Sequence, residues 1–405
     1  MRIWSRCMLM VTVMGPGLLT AMADNDAGGI AMYMQAGGAY GYAMLLVVFV
    51  SIVCLAICQE LSARTGIASG QGLASLIREQ YGVGWSLFVI GILLVANLGT
   101  TMAEFAGIAI AGSLIGLPVW LSVGGAGIIL MGMAVWCCYR SIERILLLLC
   151  LSFASYLIAG YHALPSGNDI VRSCLQAEVM ASPFWLMAIG VIGTTVTPWG
   201  QFYLQSSVVD KGVGKAEYPY VRSDVLFGSC LTGIIALAIV CIGADVFWQT
   251  GSPYTSLEQS IDALRPIFDD WAVALFGIGL FGASFLASFI LPLSTAYAAC
   301  EAFGLEYGLD RSAREAPFFF GIYCFVLIGG MVGALSMAES LLLVILVPQI
   351  ANGILLLPIL FFMVLLAQDR KIMGAYQNSR WQDRAALLVL MLLILSQVGL
   401  LLTIC

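Results

Sequence analysis

The sequence is poorest in histidine: His162 is the only one among 405 residues. That scarcity excludes a His-Glu-x-x-His zinc helix, and no Gly-x-Ser-x-Gly elbow supplies a nucleophile instead, so an enzyme lacks its parts. Charge is scarce too. Only 10% of residues are Asp, Glu, Lys or Arg, against 61% hydrophobic, a balance that excludes an ordinary soluble domain and leaves a polytopic α-helical membrane protein. The basic residues are scattered and the net charge is a modest −6, so a nucleic-acid partner has no support. Low-complexity tracts and linkers are absent, and a single transmembrane domain over 1–405 is expected. Cysteine is plentiful at 12. Yet Cys54, Cys58, Cys137, Cys138, Cys150, Cys230, Cys241, Cys300 and Cys324 fall in or beside apolar runs, with neither a repeated ligand spacing nor a disulfide framework. No cofactor is expected.

What is there is long apolar sequence. Taking runs of about 18 residues or more as spans, eleven are expected, with cores near 10–36, 41–63, 85–113, 118–138, 145–163, 182–208, 224–248, 272–300, 317–338, 341–366 and 385–404. Arg2, Arg6, an apolar stretch and Ala21-Met22-Ala23 have the outline of a leader, but Gly15-Pro16-Gly17 splits that stretch, and these residues read as half of helix 1. With the N-terminus inside, 15 of the 17 basic residues fall on the cytoplasmic side, leaving only Arg172 and Arg265 outside. That asymmetry predicts a multi-pass protein of the cell membrane with a cytoplasmic N-terminus and an external C-terminus. Helices 1 and 6 then begin on opposite sides. Residues 10–163 and 182–366 become inverted repeats of five helices each, with helix 11 at 385–404 as an addition.

Two spans are interrupted. Ala23-Asp24-Asn25-Asp26-Ala27-Gly28-Gly29 breaks the first, and Thr194-Thr195-Val196-Thr197-Pro198-Trp199-Gly200-Gln201 breaks the sixth. At bilayer depth, freed backbone groups and carboxylates are tolerated only where they face protein or a watery cavity. Paired breaks in corresponding halves point to a secondary transporter of the leucine-transporter type, with its substrate site at the midplane.

The run from Gly15-Pro16-Gly17 through Asp26-Ala27-Gly28-Gly29 to Gly41-Tyr42, followed by Leu61-Ser62-Ala63-Arg64-Thr65-Gly66, resembles the opening of the NRAMP divalent-metal transporters. Ala103-Glu104-Phe105 and Pro198 extend the likeness. The resemblance implies an Asp and an Asn from helix 1, and a Met-Pro-His segment in helix 6 whose methionine is a soft ligand. Here Asp26 keeps the carboxylate, but Gly29 stands for the asparagine, Thr197 for the methionine and Trp199 for the histidine. Thioethers favour late transition metals, whereas carboxylate, carbonyl and water oxygens favour Mg²⁺, Ca²⁺ and Mn²⁺. Gly29 also removes side-chain volume, so a wider cavity with a partly hydrated Mg²⁺ is expected, and Mn²⁺ as a second substrate. This combination resembles the NRAMP-related magnesium transporters, a branch with this altered site.

The candidate metal-contacting residues are Asp26, Gly29, Thr194, Thr195, Thr197, Gln201, Asp24, Gln349 and Asn352. Asp26 carries the charge. Asp24 is a ligand, a vestibule residue or a helix cap. Thr197 and Gln201 touch the hydrated ion or satisfy backbone freed by Pro198, and carbonyls around Thr194 and Thr195 offer further oxygens. Gln349 and Asn352, one turn apart on helix 10, complete the cavity or bond between helices. Glu104 takes a proton or pairs with a polar neighbour. The proton route that the family resemblance implies is missing its titratable groups here: Thr101, Trp199 and Gln205 stand at those positions, and His162 lies at a loop edge. Threonine, tryptophan and glutamine do not titrate near neutral pH. Uptake weakly coupled or uncoupled to protons, by a monomer in the lipid bilayer, is therefore expected. The alternatives are a proton-coupled Mn²⁺/Fe²⁺ transporter of the family's usual type and an amino-acid symporter on the same scaffold, whose substrate carboxylate Asp26 would repel.

Overall fold

The structure is a computed structural model that describes residues 15–137, 139–176, 182–257, 259, 271–337 and 341–404. The expectations for Arg2, Arg6, the first part of helix 1 and Arg265 lie outside the described residues. In chain order the α-helices are α1 Pro16–Ala23, α2 Ala27–Tyr40, α3 Met44–Ser69, α4 Leu73–Tyr81, α5 Val83–Ser113 and α6 Val119–Trp136. Then follow α7 Tyr139–Leu149, α8 Ala154–His162, α9 Gly167–Gln176, α10 Ser182–Thr195, α11 Pro198–Asp210 and α12 Tyr218–Gly243. The last are α13 Trp271–Phe303, α14 Pro317–Ser336, α15 Leu341–Gln368, α16 Arg370–Met373 and α17 Arg380–Ile404. Among the described residues, 9 helical segments are long and apolar enough to cross a membrane, with Ala27–Ser69 counted as one of 43 residues. The chain is an all-helical, multi-pass membrane protein.

Local sequence sets the ends that matter. Asp26 has extended backbone and caps α2, its side chain accepting from Gly29 N–H. Thr197 caps α11 in the same way through Gly200 N–H, and Pro198 occupies the first turn, where its missing N–H costs nothing. α3 stops at Gly70, which adopts φ 69° and accepts the left-handed turn without strain. Around the long central α5 pack α13, α14 and α15, while α12 lies against α1, α2 and α3. α10 meets α15 at two glycines: a Cβ on Gly193 would fall 2.1 Å from Gln349 O, and one on Gly353 2.3 Å from Ile189 O. Backbone-to-backbone approach of this kind takes the place of hydrophobic burial where lipid is as apolar as the side chains.

Three features differ from the sequence reading. The expected span 145–163 is built as α7, a 3₁₀ turn over Cys150–Phe153, and α8, the tighter turn marking a change of course. The connection between the expected spans 145–163 and 182–208 holds α9, which Ser166 and Asp169 cap by exchanging hydrogen bonds. A short amphipathic helix, α4, follows Gly72 and buries Leu73, Ala74, Leu76 and Ile77. The nine described cysteines are free thiols.

Candidate metal site

The short gap between α1 and α2 and the one between α10 and α11 are tied directly to each other. Thr197 Oγ1 donates to Asp24 Oδ1 at 2.8 Å. The second oxygen of Asp24 faces Gln59 Nε2 of α3 at 3.4 Å. Tyr33 OH lies 2.8 Å from Thr195 Oγ1. Because the single Thr195 proton goes to Val191 O at 2.6 Å, Tyr33 is the donor in that pair. Asn25 Nδ2 donates to Thr232 O at 3.3 Å, and Thr232 Oγ1 to Ala21 O at 2.5 Å, so α12 holds the end of α1.

Asp24, Asp26 and Glu104 are all 0% exposed. They neighbour one another, Asp26 standing between the other two. Asp26 Oδ1 accepts from Gly29 N–H at 2.6 Å, while Glu104 Oε2 accepts from Ala27 N–H at 3.1 Å. Both bonds use free amides at the start of α2, whose dipole favours negative charge. No cationic side chain pairs with any of the three among the described residues. Buried carboxylates without a cation or a proton are costly.

Apart from the contact between the Asp26 and Glu104 carboxyls themselves, their remaining oxygens find no donor among the described residues. Asp26 Oδ2, Glu104 Oε1, Thr194 Oγ1, Asn352 Oδ1 and Asn25 Oδ1 are buried and make no hydrogen bond, as does Gln349 Nε2. Gln349 lies over the first turn of α2, since a Cβ on Gly28 would fall 1.7 Å from its Nε2. Such a concentration of unpaired buried groups is rare in folded chains and calls for a ligand or bound water. Among the described residues no cluster of three or more His, Cys, Asp or Glu has the geometry of a metal cage. An ion held here therefore takes hydroxyl, amide or water oxygens as well.

Eight of the nine residues singled out by sequence fall into three groups, and Gly29 stands apart. Asp26, Thr194, Gln349 and Asn352 meet around the start of α2 with unpaired atoms; Asn352 Nδ2 donates to Thr100 Oγ1 at 3.1 Å and Gln349 Oε1 lies 3.5 Å away. Asp24 and Thr197 bind each other. Thr195 and Gln201 serve structure: Gln201 Oε1 accepts from Ser62 Oγ at 3.0 Å and its Nε2 faces Thr197 O at 3.4 Å. Gly29 contributes its N–H, and the room expected from its missing side chain is closed: a Cβ there would lie 2.8 Å from Asp24 O and 3.2 Å from Thr194 Oγ1. Main chain of the gap itself fills the space.

Sequence reasoning passed over Gln59, Tyr33 and Thr232, each a lone polar group in apolar sequence. It also passed over Asp224, whose Oδ2 accepts from Gly15 N–H at 3.1 Å and Gly17 N–H at 2.8 Å. Trp199 is fully buried, and its carbonyl accepts from Ser294 Oγ at 2.9 Å. His162 is exposed.

Residues 17–403 match the family described as Natural resistance-associated macrophage protein-like, Nramp. The chain is 26% identical over 400 residues to the divalent metal cation transporter MntH of Bacillus subtilis (strain 168), spanning 94% of this chain and 89% of that protein. To MntH of Pectobacterium carotovorum subsp. carotovorum (strain PC1) it is 27% identical over 401 residues, 95% of this chain and 92% of the relative. Among solved structures, the manganese transporter of Eremococcus coleocola superposes with a TM-score of 0.76 at 17% identity, over 96% of this chain and 85% of that one. MhsT in complex with L-phenylalanine superposes at 0.63 with 16% identity, over 96% and 98%. Likenesses at these low identities speak for a shared helical fold.

Proposed function

The chain belongs to the Nramp family, and from that membership we propose that it carries divalent metal cations across the membrane, with Mg²⁺ as a partly hydrated main substrate and Mn²⁺ as a second one. Its relatives are divalent metal cation transporters, and the chain is not an enzyme. The observation that carries the reading is the buried acid cluster. Asp26 and Glu104 touch each other, each presents an oxygen without a donor, no cationic side chain among the described residues neutralises them, and Thr194 Oγ1 and Asn352 Oδ1 add hard oxygens beside them. A dication supplies the missing charge, and oxygen donors suit Mg²⁺ and Mn²⁺. At the position where the family pattern has a methionine, Thr197 offers a hydroxyl.

In this reading α1–α2 and α10–α11 are interrupted crossings 1 and 6, and Ala27–Ser69 holds the second half of crossing 1 together with crossing 2. Eleven crossings result, as two inverted five-helix repeats in one domain, 10–163 and 182–366, plus α17, acting as a monomer. The basic residues put the N-terminus in the cytoplasm and the C-terminus outside. Alternating access arises as the segments bordering the two gaps part from Asp24 and Thr197 on one side or the other.

Transport is driven by voltage rather than by protons. Thr101, Trp199 and Gln205 are buried and do not titrate. A doubly charged ion crossing about 100 mV of interior-negative potential gains about 4.6 kcal/mol, enough for more than three decades of accumulation. Uptake of Mg²⁺, Mn²⁺ and Ca²⁺ into liposomes, with internal pH recorded, tests this. Mg²⁺ influx that follows an imposed potential without acidification is expected. Stoichiometric proton influx, or Mn²⁺ flux without Mg²⁺ flux, would favour the proton-coupled Mn²⁺/Fe²⁺ alternative.

A further inference from the structure

A second group of unpaired oxygens lies at the far end of α11. Glu301, in the last turn of α13, is only 3% exposed, and beyond the close Ser206 hydroxyl and Ala74 amide its carboxylate oxygens find no well-aligned donor. Its carboxylate stands over the Gly70–Gly72 turn: a Cβ on Gly72 would fall 1.9 Å from Oε2 and 2.0 Å from Oε1. Ser206 of α11 and the amide of Ala74 neighbour it. Gln205 Nε2 donates to Gln71 O at 2.9 Å, which leaves Gln205 Oε1 and Gln71 Oε1 buried without partners beside the Glu301–Ser206 pair.

These groups border a cavity of about 610 Å³ that Glu301, Gln71, Asp210 and Asp310 help to line. Two arginines also face it, and each is engaged. Arg78 Nη1 donates to Ala302 O at 2.9 Å, and Arg311 pairs with Glu306 at 2.8 Å. Asp210 Oδ2 accepts from Tyr297 OH at 2.7 Å. The Glu301 charge has no counterpart of its own, and a buried carboxylate in that condition calls for a cation. From the Thr197 cap to Ser206 along α11 is about 13 Å at 1.5 Å per residue, so this group lies beyond the first site on the way to one membrane face. The cavity is wide enough for an ion that keeps much of its water, as Mg²⁺ does.

We propose that Glu301, with the oxygens of Gln71, Gln205 and Ser206, forms a second subsite that receives a hydrated divalent cation between the Asp26 site and the cytoplasm. This subsite rests on the divalent-metal reading above. It catches the ion as the inner side opens, and its single carboxylate with retained water lets the ion leave.

The test counts Mn²⁺ bound to the full-length detergent-solubilised chain by electron paramagnetic resonance, with Mg²⁺ as competitor. Two binding sites are expected for the native chain. Glu301→Gln should leave one, the lost site weakened about 10- to 100-fold, the range seen when a supporting carboxylate around a metal is removed. Asp26→Ala should remove the other site and keep this one. Should Glu301→Gln misfold, Gly72→Ala, whose methyl must push the carboxylate aside, is read in its place. An unchanged count and affinity in whichever of the two variants folds would overturn the subsite. Failure of the first-site reading shows differently: Asp26→Ala would then keep both sites and its Mg²⁺ influx.

Discussion

Thr197 Oγ1 donates to Asp24 Oδ1 across 2.8 Å, joining two helix gaps 173 residues apart in the chain. The bond makes position 197 both a structural link and the place where a soft ligand is absent. Replacing Thr197 with Val keeps its shape but leaves Asp24 Oδ1 without its donor. Losing a hydrogen bond to a charged group costs about 1.5–3 kcal/mol. Thermal unfolding in detergent should show that loss, and an unshifted transition would show that the two gaps are held by packing alone.

Replacing Thr197 with Met puts a thioether beside the Asp24 carboxylate, in the gap that borders the Asp26 site. Softer ligands favour Mn²⁺ and later metals over Mg²⁺, so the ratio of Mn²⁺ to Mg²⁺ uptake should rise by about tenfold, a difference of about 1.4 kcal/mol. The check is competition between the two ions in liposomes. A variant that folds and keeps the native ratio would mean that position 197 does not face the ion.

Asp26→Asn preserves the size of the side chain and the oxygen that accepts from Gly29 N–H, yet removes the charge. Influx of Mg²⁺, Mn²⁺ and Ca²⁺ should all fall by at least the 10- to 100-fold that follows loss of a group merely supporting a metal ligand. Stability should hold or increase, because an uncompensated buried charge is gone. Flux at the native rate with any of the three ions would remove Asp26 from the site.

Long apolar runs and their polar interruptions made the membrane class and the family legible from sequence, since both rest on Asp26, Gly28-Gly29, Glu104 and Pro198 and need no long-range contact. What remained hidden depends on partners. Whether Asp24 is a ligand or a tie turns on Thr197, 173 residues away, and no local pattern encodes that pairing. Gln201 reads as a lining residue because its type fits, but Ser62 across the α3–α11 contact occupies its oxygen. The absent Gly29 side chain suggested empty space, whereas the Asp24 carbonyl closes it. α4 has only nine residues, too few to show against longer apolar neighbours.

Asp169 gives a prediction in pH. It is half-buried on α9, and hydrogen bonds from the Ser166 hydroxyl and then the Ser166 amide hold its carboxyl below the ordinary value of 3.8, with a smaller part from Arg172. A carboxyl lowered by folding stabilises the folded form above its unfolded pKa, and that contribution is lost as pH falls through the folded value. Amides in the first turn of α9 should therefore exchange faster below about pH 4, after correction for the intrinsic rate, while Asp169→Asn should flatten the dependence. Equal protection at both pH values would show that α9 stands without its cap.

The grip of Asp224 on α1 yields the last prediction. One oxygen, Oδ2, takes both Gly15 N–H and Gly17 N–H, so a single side chain of α12 fixes the start of the helix that leads to Asp24. Gly17 must be small for this: a Cβ there would lie 2.9 Å from that same oxygen and from Val225 N. Nearby, Lys211 pairs with Glu143 at 2.7 Å, and Arg64 donates to Tyr376 O at 2.7 Å and Asn378 Oδ1 at 2.6 Å. Asp224→Ala removes two helix-start bonds, worth about 0.5–2 kcal/mol by the usual cost of losing a cap. On the expectation that these bonds break when this face of the bundle opens for transport, the change should appear as a shift toward the open form, by roughly 2- to 30-fold at 1.4 kcal/mol per decade. A cysteine placed at Thr20, otherwise buried, in a chain whose 12 native cysteines are replaced by serine or alanine, should then react faster with a water-soluble maleimide by the same factor. If labelling stays at the native rate while thermal stability falls, Asp224 supports the fold in both forms and is no part of the closure.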